Sequence, residues 1–343
     1  MKRRDFLKIG GVGAAGSAAV STGLMSWSTR AEAQLLNISL SAVKGNVTMI
    51  DGVTVPMFSF SSTTLPMVPG PLIVCQAGDS IQLALSNKLA TPVKFVVGRT
   101  NITLTVAAGA TQTLVFTAPA PGSYLYYDDQ NSGVNRIMGL HGALIVMPLS
   151  IKNQSFTGSP TFVRQYKWVL SNVDPAWANL VKTNGDAYVS SIASTSFLPR
   201  YFLMNGNSFD NSHEDNTALS GNYNDACLVR ILNAGGMAHS PHFHANHVNI
   251  LSVNGTNYTS GLKIKDVVSM FPLDVKDVRY PFLAPPDAYP VATGTQHYPM
   301  HCHSEMSQTA GGGLYPHGMH TQIAFGQSPA VESDLQRAVA LLP

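Results

Sequence analysis

The stretch QHYPMHCHSEMSQTAGGGLYPHGMH, residues 296–320, gathers five histidines, three methionines and a cysteine into one glycine-broken segment. Imidazole, thiolate and thioether together make the donor mixture that soft copper prefers. Nine of the eleven histidines fall between His239 and His320. They form two tight clusters, HSPHFHANH with His239, His242, His244 and His247, and His301-Cys302-His303. On a strand, residues two apart share a face. His242 and His244 can then point at one site, with His301 and His303 joining them from a neighbouring strand. Cys302 points the opposite way, into its own sandwich. One strand could thus serve two metal sites on its two faces, with the cysteine linking them electronically.

The elements that must hold these residues read as short strands. SIQLALSN, TQTLVFTAPAPGSYLYY and LHGALIVMPL alternate or cluster Val, Leu, Ile, Thr and Tyr, and Gly, Pro, Asn and Asp punctuate them at short intervals. That is the pattern of β-sandwiches. GDSIQLALSNKLATPVKFVV in the first half is echoed by NDACLVRILNAGGMAHSPHFH in the second. Each has an acidic turn, an alternating strand, an Asn, a short loop and a second strand. Two copies of one sandwich explain the echo better than one large sheet. The expected division is a leader over 1–33, sandwiches over 34–150 and 151–327, and a helical tail over 328–343 that packs on the outside.

The 343 residues are 45% hydrophobic and 12% charged, too apolar for disorder and long enough for two cores. Formal net charge is +2, with no Lys/Arg run beyond the N-terminus, which argues against a nucleic-acid partner. Arg3 and Arg4 precede Phe6-Leu7-Lys8, a small weakly apolar stretch and Ala31-Glu32-Ala33. This reads as a twin-arginine export signal with a mature start near Gln34, and hence a periplasmic protein with no span after signal removal. The Gly/Ala/Ser-rich apolar region makes a poor membrane helix. Of the three cysteines, Cys302 stands among histidines, whereas Cys75 and Cys227 lie in strand-like runs and read as buried small hydrophobes, with a bridge between them as the alternative.

At the two histidine clusters the chain resembles the multicopper oxidases, which are built from cupredoxin β-sandwiches. The family's third motif, H-P-x-H-x-H-G-H, is similar to His239-Ser240-Pro241-His242-Phe243-His244, and its fourth begins H-C-H, as do His301-Cys302-His303. PGPLIVCQAGDSIQLALSN, FTAPAPGSYLYY and GLHGALIVMP resemble the family's frame in the first half. The resemblance implies an all-β fold of two cupredoxin-like Greek-key sandwiches. It also implies a type 1 copper at His239 and Cys302, with His242, His244, His301 and His303 facing further copper.

Two departures qualify it. The first motif, H-W-H-G, falls on Phe95-Val96-Val97-Gly98 and the second, H-S-H, on Tyr127-Asp128-Asp129, so the first half brings none of its four histidines. Phe and Val carry no donor atom, which argues against four-electron dioxygen reduction by this chain alone. Asp128 and Asp129 read as a solvated acidic turn, with added oxygen donors as the alternative. After Cys302, the histidine expected five residues on is Ser307 and the methionine expected ten on is Gly312. His317, Met319 and Met306 are the candidates to complete a type 1-like site. Their alternatives are a loop position for His317 and core packing for the methionines. His247, His297 and His320 match no ligand position and read as supporting or surface residues, and His141 and His213 as structural or solvated.

Three functions follow as expectations. The first is a periplasmic copper protein, redox-active through a type 1-like copper and served by a redox partner or small reductant. The second is a copper storage or tolerance protein, and the third a scaffold that has lost catalysis. A second ion on the His242/His244/His301/His303 face and homo-oligomerisation are left open. An exposed unliganded thiol is a liability in an exported protein, so Cys302 should be metal-bound or buried.

Overall fold

The computed structural model describes residues 33–209, 217–285 and 294–343. The leader read at the N-terminus and His213 lie outside the described residues. No helix among the described residues is long and apolar enough to cross a membrane.

The alternation seen in the sequence becomes two β-sandwiches. In Ser80–Asn87, Ile81, Leu83, Leu85 and Asn87 point inward while Gln82 is exposed. This strand lies parallel to Leu35–Thr48 in a sheet ordered Thr54–Ser61, Leu35–Thr48, Ser80–Asn87, Thr111–Thr117. The facing sheet runs Ile73–Gln76, His141–Met147, Gly122–Tyr127, Val93–Val97, Thr103–Val106. The second sandwich repeats this order. Tyr201–Met204, Arg164–Val173, Cys227–Asn233 and Val275–Tyr280 match the first sheet, with Val248–Val253 and Thr256–Asn257 added at its edge. Leu219–Gly221, His320–Phe325, Gln296–Cys302 and Pro241–Phe243 match the second. The echoed segments Ser80–Asn87 and Cys227–Asn233 thus occupy equivalent places, each parallel to the first strand of its sandwich. The molecule is all-β with two repeated sandwiches, as the pattern predicts.

Each sandwich closes on aromatics. Phe60, Phe95 and Tyr126 meet at 5.2–5.8 Å between ring centroids in the first. Trp168 stacks on Phe243 at 5.2 Å in the second. Cys75 and Cys227 are buried and unpaired, in the role expected of them. The sandwiches meet through Leu125 and Ala143 of the first and Val169, Leu232, Ala234 and Val275 of the second. At this junction Arg230 and Asp277, both 0% exposed, pair at 2.9 Å. Ser123 of the first sandwich donates to Asp277 Oδ1 (2.6 Å), and Ser155 of the connecting segment donates to Oδ2. The helix Asp334–Ala340 is capped by Ser333, whose Oγ accepts from Gln336 N–H. Its Leu335 and Val339 are buried against Ile145 and Met147 from one sandwich and Leu228 and Leu251 from the other.

His141 takes the structural role read for it. It is fully buried, with Nδ1 against the Arg136 carbonyl at 2.8 Å. Burial pulls its imidazole down to about 4, so it is neutral in the fold. The unfolded chain binds this proton near pH 6.5 and the folded chain only near 4. Stability is therefore full above the first value and is lost as pH falls towards the second. Linkage sets that loss at about 3 kcal/mol. Urea unfolding from neutral to acid pH should show it, and His141→Gln should flatten the acid limb by that amount.

Candidate metal centre

Inward residues decide where the histidines point. Pro241 and Phe243 are buried in the second sandwich, which turns His242 and His244 outward. Met300 and Cys302 are buried on the next strand, which turns His301 and His303 to the same outer face. The register then aligns them. His242 sits opposite His301, and His301 opposite His320, so the three strands lay a row of imidazoles across the sheet. The Tyr280 hydroxyl donates to the His244 carbonyl at 2.8 Å and fixes the fourth member.

His242, His244 and His301 are half-buried, and their donor atoms lie within 4.8 Å of one another. Among the described residues this is the one such group of three or more His, Cys, Asp or Glu side chains. The Nε2 atoms of His244 and His301 are 3.1 Å apart, so a proton or an ion must lie between their lone pairs. The rings of His242 and His303 are 4.4 Å apart, and those of His301 and His303 5.2 Å apart, with His303 exposed. Burial first, and then repulsion among neighbouring imidazoles, lowers the pKa of His242, His244 and His301. Neutral imidazole is the form that ligates. The Nδ1 atoms of His301 and His320 are buried with no hydrogen-bond partner, and that of His242 has the Asp266 carboxylate 3.8 Å away. The facing Nε2 atoms of His244 and His301, on neutral half-buried rings, are the donors that one ion can share. These residues fit a transition-metal ion.

His320, read as a supporting or surface residue, is half-buried at the end of this row. Burial, and then His301 and His244, push its imidazole down to about 4. Its ring lies 4.3 Å from Phe209 and 6.4 Å from His301. His247 and His297 are exposed, as read.

The opposite face of the strand differs. His239 and Cys302 are both 0% exposed, with Sγ 3.8 Å from Nδ1. Of the three candidates to complete this site, Met319 is buried beside it, its carbonyl accepting the Cys302 N–H at 3.1 Å. His317 turns Nδ1 to the Phe209 carbonyl at 2.9 Å, and Met306 is 49% exposed. The residue that does face His239 is Ser307, whose Oγ lies 3.1 Å from Nδ1. On the other side, Asn172 Nδ2 lies 2.7 Å from Nε2. Asn172 carried no signal in the sequence.

In the first sandwich, Phe95 and Val97 point into the core, 1% and 0% exposed, and offer no donor. Asp128 corrects the reading of a solvated turn. It is buried, accepts from the backbone N–H groups of Lys94 (2.9 Å) and Gln130 (2.8 Å), and has its pKa raised by burial. Asp129 does stay exposed, paired with Lys94 at 2.9 Å.

No family model matches the chain, and no curated protein matches it. Solved structures do. The chain is similar to the blue copper oxidase from Nitrosomonas europaea, with 20% identity, 85% of this chain and 86% of that one covered, and a TM-score of 0.67. The multicopper oxidase mgLAC is 21% identical over 87% of this chain and 88% of its own, with a TM-score of 0.66. The copper nitrite reductase from Nitrosomonas europaea is 16% identical over 90% and 99%, with a TM-score of 0.62. The repeated sandwiches and these neighbours agree: the fold of this chain is that of the multicopper oxidase and cupredoxin superfamily.

Proposed function

We propose that this chain is an exported copper-binding protein whose ion is held by His242, His244 and His301, with His303 and His320 at the margin. One observation carries the reading: three half-buried imidazoles, aligned by strand register, whose donor atoms lie within 4.8 Å of one another. Imidazole donors suit copper, zinc, iron and nickel, and among divalent ions such sites favour copper. The copper proteins named among the fold's neighbours support the same choice. The twin-arginine leader supports the periplasm as its place of work.

Three imidazoles on a half-open face leave room for a further ligand, and a copper ion so held supplies one-electron chemistry on a small molecule. The partner is then a small reductant or another exported redox protein. In this reading the redox role expected of a type 1-like copper at His239 and Cys302 passes to the three-histidine face. Four-electron reduction of dioxygen lies outside it, since Phe95 and Val97 bring no ligand from the first sandwich. Copper storage or tolerance is the second reading, favoured by the exposed thioether of Met306 three residues after the exposed His303.

Titration of the mature protein with Cu(II), followed by EPR, tests both. One tightly held copper that cycles between oxidation states with a small reductant and air supports the redox role. Copper that stays bound but does not cycle supports storage. No binding would overturn the proposal.

A further inference from the structure

The His239–Cys302 pocket lies one residue from the three-histidine face, yet its hydrogen bonds are of another kind. The outer face leaves three ring nitrogens without a hydrogen bond, whereas every side-chain polar atom of this pocket has one. Asn172 decides how. Its Oδ1 accepts the Met237 backbone N–H at 3.1 Å, and a backbone N–H can only donate. The side chain is thereby oriented with its NH2 towards His239 Nε2, 2.7 Å away. An NH2 group has no lone pair to offer, so Nε2 must be the bare nitrogen of the ring. The proton of the neutral imidazole is then on Nδ1, the atom that faces Ser307 Oγ at 3.1 Å and Cys302 Sγ at 3.8 Å.

That arrangement is closed to a metal. A ligating imidazole needs its lone pair at the metal and its proton on the far nitrogen, where an acceptor holds it. Here the proton points into the pocket and a donor stands behind. The sulfur has a partner as well, since the Ser240 N–H donates to it at 3.2 Å. Ser307 fills the place where a second imidazole would complete the donors. Its backbone is pinned there, its carbonyl accepting the Met319 N–H at 2.7 Å and its N–H donating to the Ser304 carbonyl at 2.8 Å.

We propose that the His239–Cys302 pocket takes no copper and is a metal-free imidazole–thiol contact inside the second sandwich, kept so by Asn172, which sets the ring's tautomer, and Ser307, which replaces a donor. Asn172 is a positioning residue, and two substitutions reverse both devices. Asn172→Asp offers Nε2–H an acceptor while still accepting the Met237 N–H. Ser307→His supplies the missing imidazole.

The test compares Cu(II) titrations of the wild type, Cys302→Ser and the Asn172→Asp/Ser307→His pair, read by bound copper per chain and visible absorption. Wild type and Cys302→Ser should bind equal copper and show the same spectrum, without an intense thiolate-to-Cu(II) band. The paired variant should bind one copper more and gain that band. In 15N-histidine NMR, His239 should carry its proton on Nδ1 in the wild type and on Nε2 in Asn172→Asp. An intense band in the wild type that Cys302→Ser abolishes would overturn the proposal. A folded paired variant that gains no copper would remove Asn172 and Ser307 as its cause. If that pair fails to fold, the wild type against Cys302→Ser decides alone. The proposal stands or falls independently of the outer face, because copper there contributes no thiolate band.

Discussion

Replacing His301 by alanine should raise the dissociation constant for copper by about 10²–10³-fold. A closed four-ligand site is worth on the order of 10–16 kcal/mol, so one imidazole carries about 3–4. His301 is the member whose loss tells most. It faces His242 and His320 across both neighbouring strands and approaches His244 Nε2 to 3.1 Å. Its removal breaks the row in the middle. His303→Ala, at an exposed position, should cost only about tenfold. Competition against a chelator of known affinity measures both. Equal affinities for wild type and His301→Ala would place the ion elsewhere.

The second large effect is on stability. Asp277→Ala leaves the Arg230 guanidinium buried without its carboxylate, and takes from the Ser123 and Ser155 hydroxyls the acceptor of their protons. Breaking a buried pair from one side costs about 3–5 kcal/mol, a large part of the 5–15 kcal/mol that holds a domain folded. Chemical unfolding should record that loss. The paired change Arg230→Met/Asp277→Leu should cost less than Asp277→Leu alone, because no charge is left behind. A double variant as unstable as the single one would mean that the pair is a packing element and not an electrostatic one.

Much of this was legible in the sequence because it depends on the two-residue period of a strand. Inward Phe243, Met300 and Cys302 force His242, His244 and His301 outward whatever the fold does elsewhere. The repeated sandwich was legible for the same reason. His320 was not, because its place in the row comes from its register opposite His301, across a loop whose course includes Gly311 and Gly312 in left-handed conformations. Asp128 misled because two adjacent carboxylates at a strand end read as solvated, whereas two backbone N–H groups, one from another strand, are what bury it. His317 and Met306 sit on that same loop, and spacing alone could not say that it turns His317 Nδ1 to the Phe209 carbonyl and leaves Met306 half exposed. Asn172 was invisible for a simpler reason. Its partners, Met237 and His239, are some 65 residues away in sequence.

The helix Asp334–Ala340 has a consequence for the time at which this molecule becomes whole. Its residues cover apolar side chains of both sandwiches, and the Gln76 amide reaches the carbonyl of Pro343, 267 residues on. Both sandwiches also depend on parallel pairs between distant strands, such as Ile73 with Leu144 and Leu219 with Ile323. Contacts of such separation form slowly, after long stretches of chain have been searched. A ribosome can deliver every strand pair of the first sandwich early, yet it delivers that half with one face still bare. The first sandwich keeps an apolar face, around Ile145 and Met147, that is covered first by Leu228 and Leu251 and last by residues beyond 330.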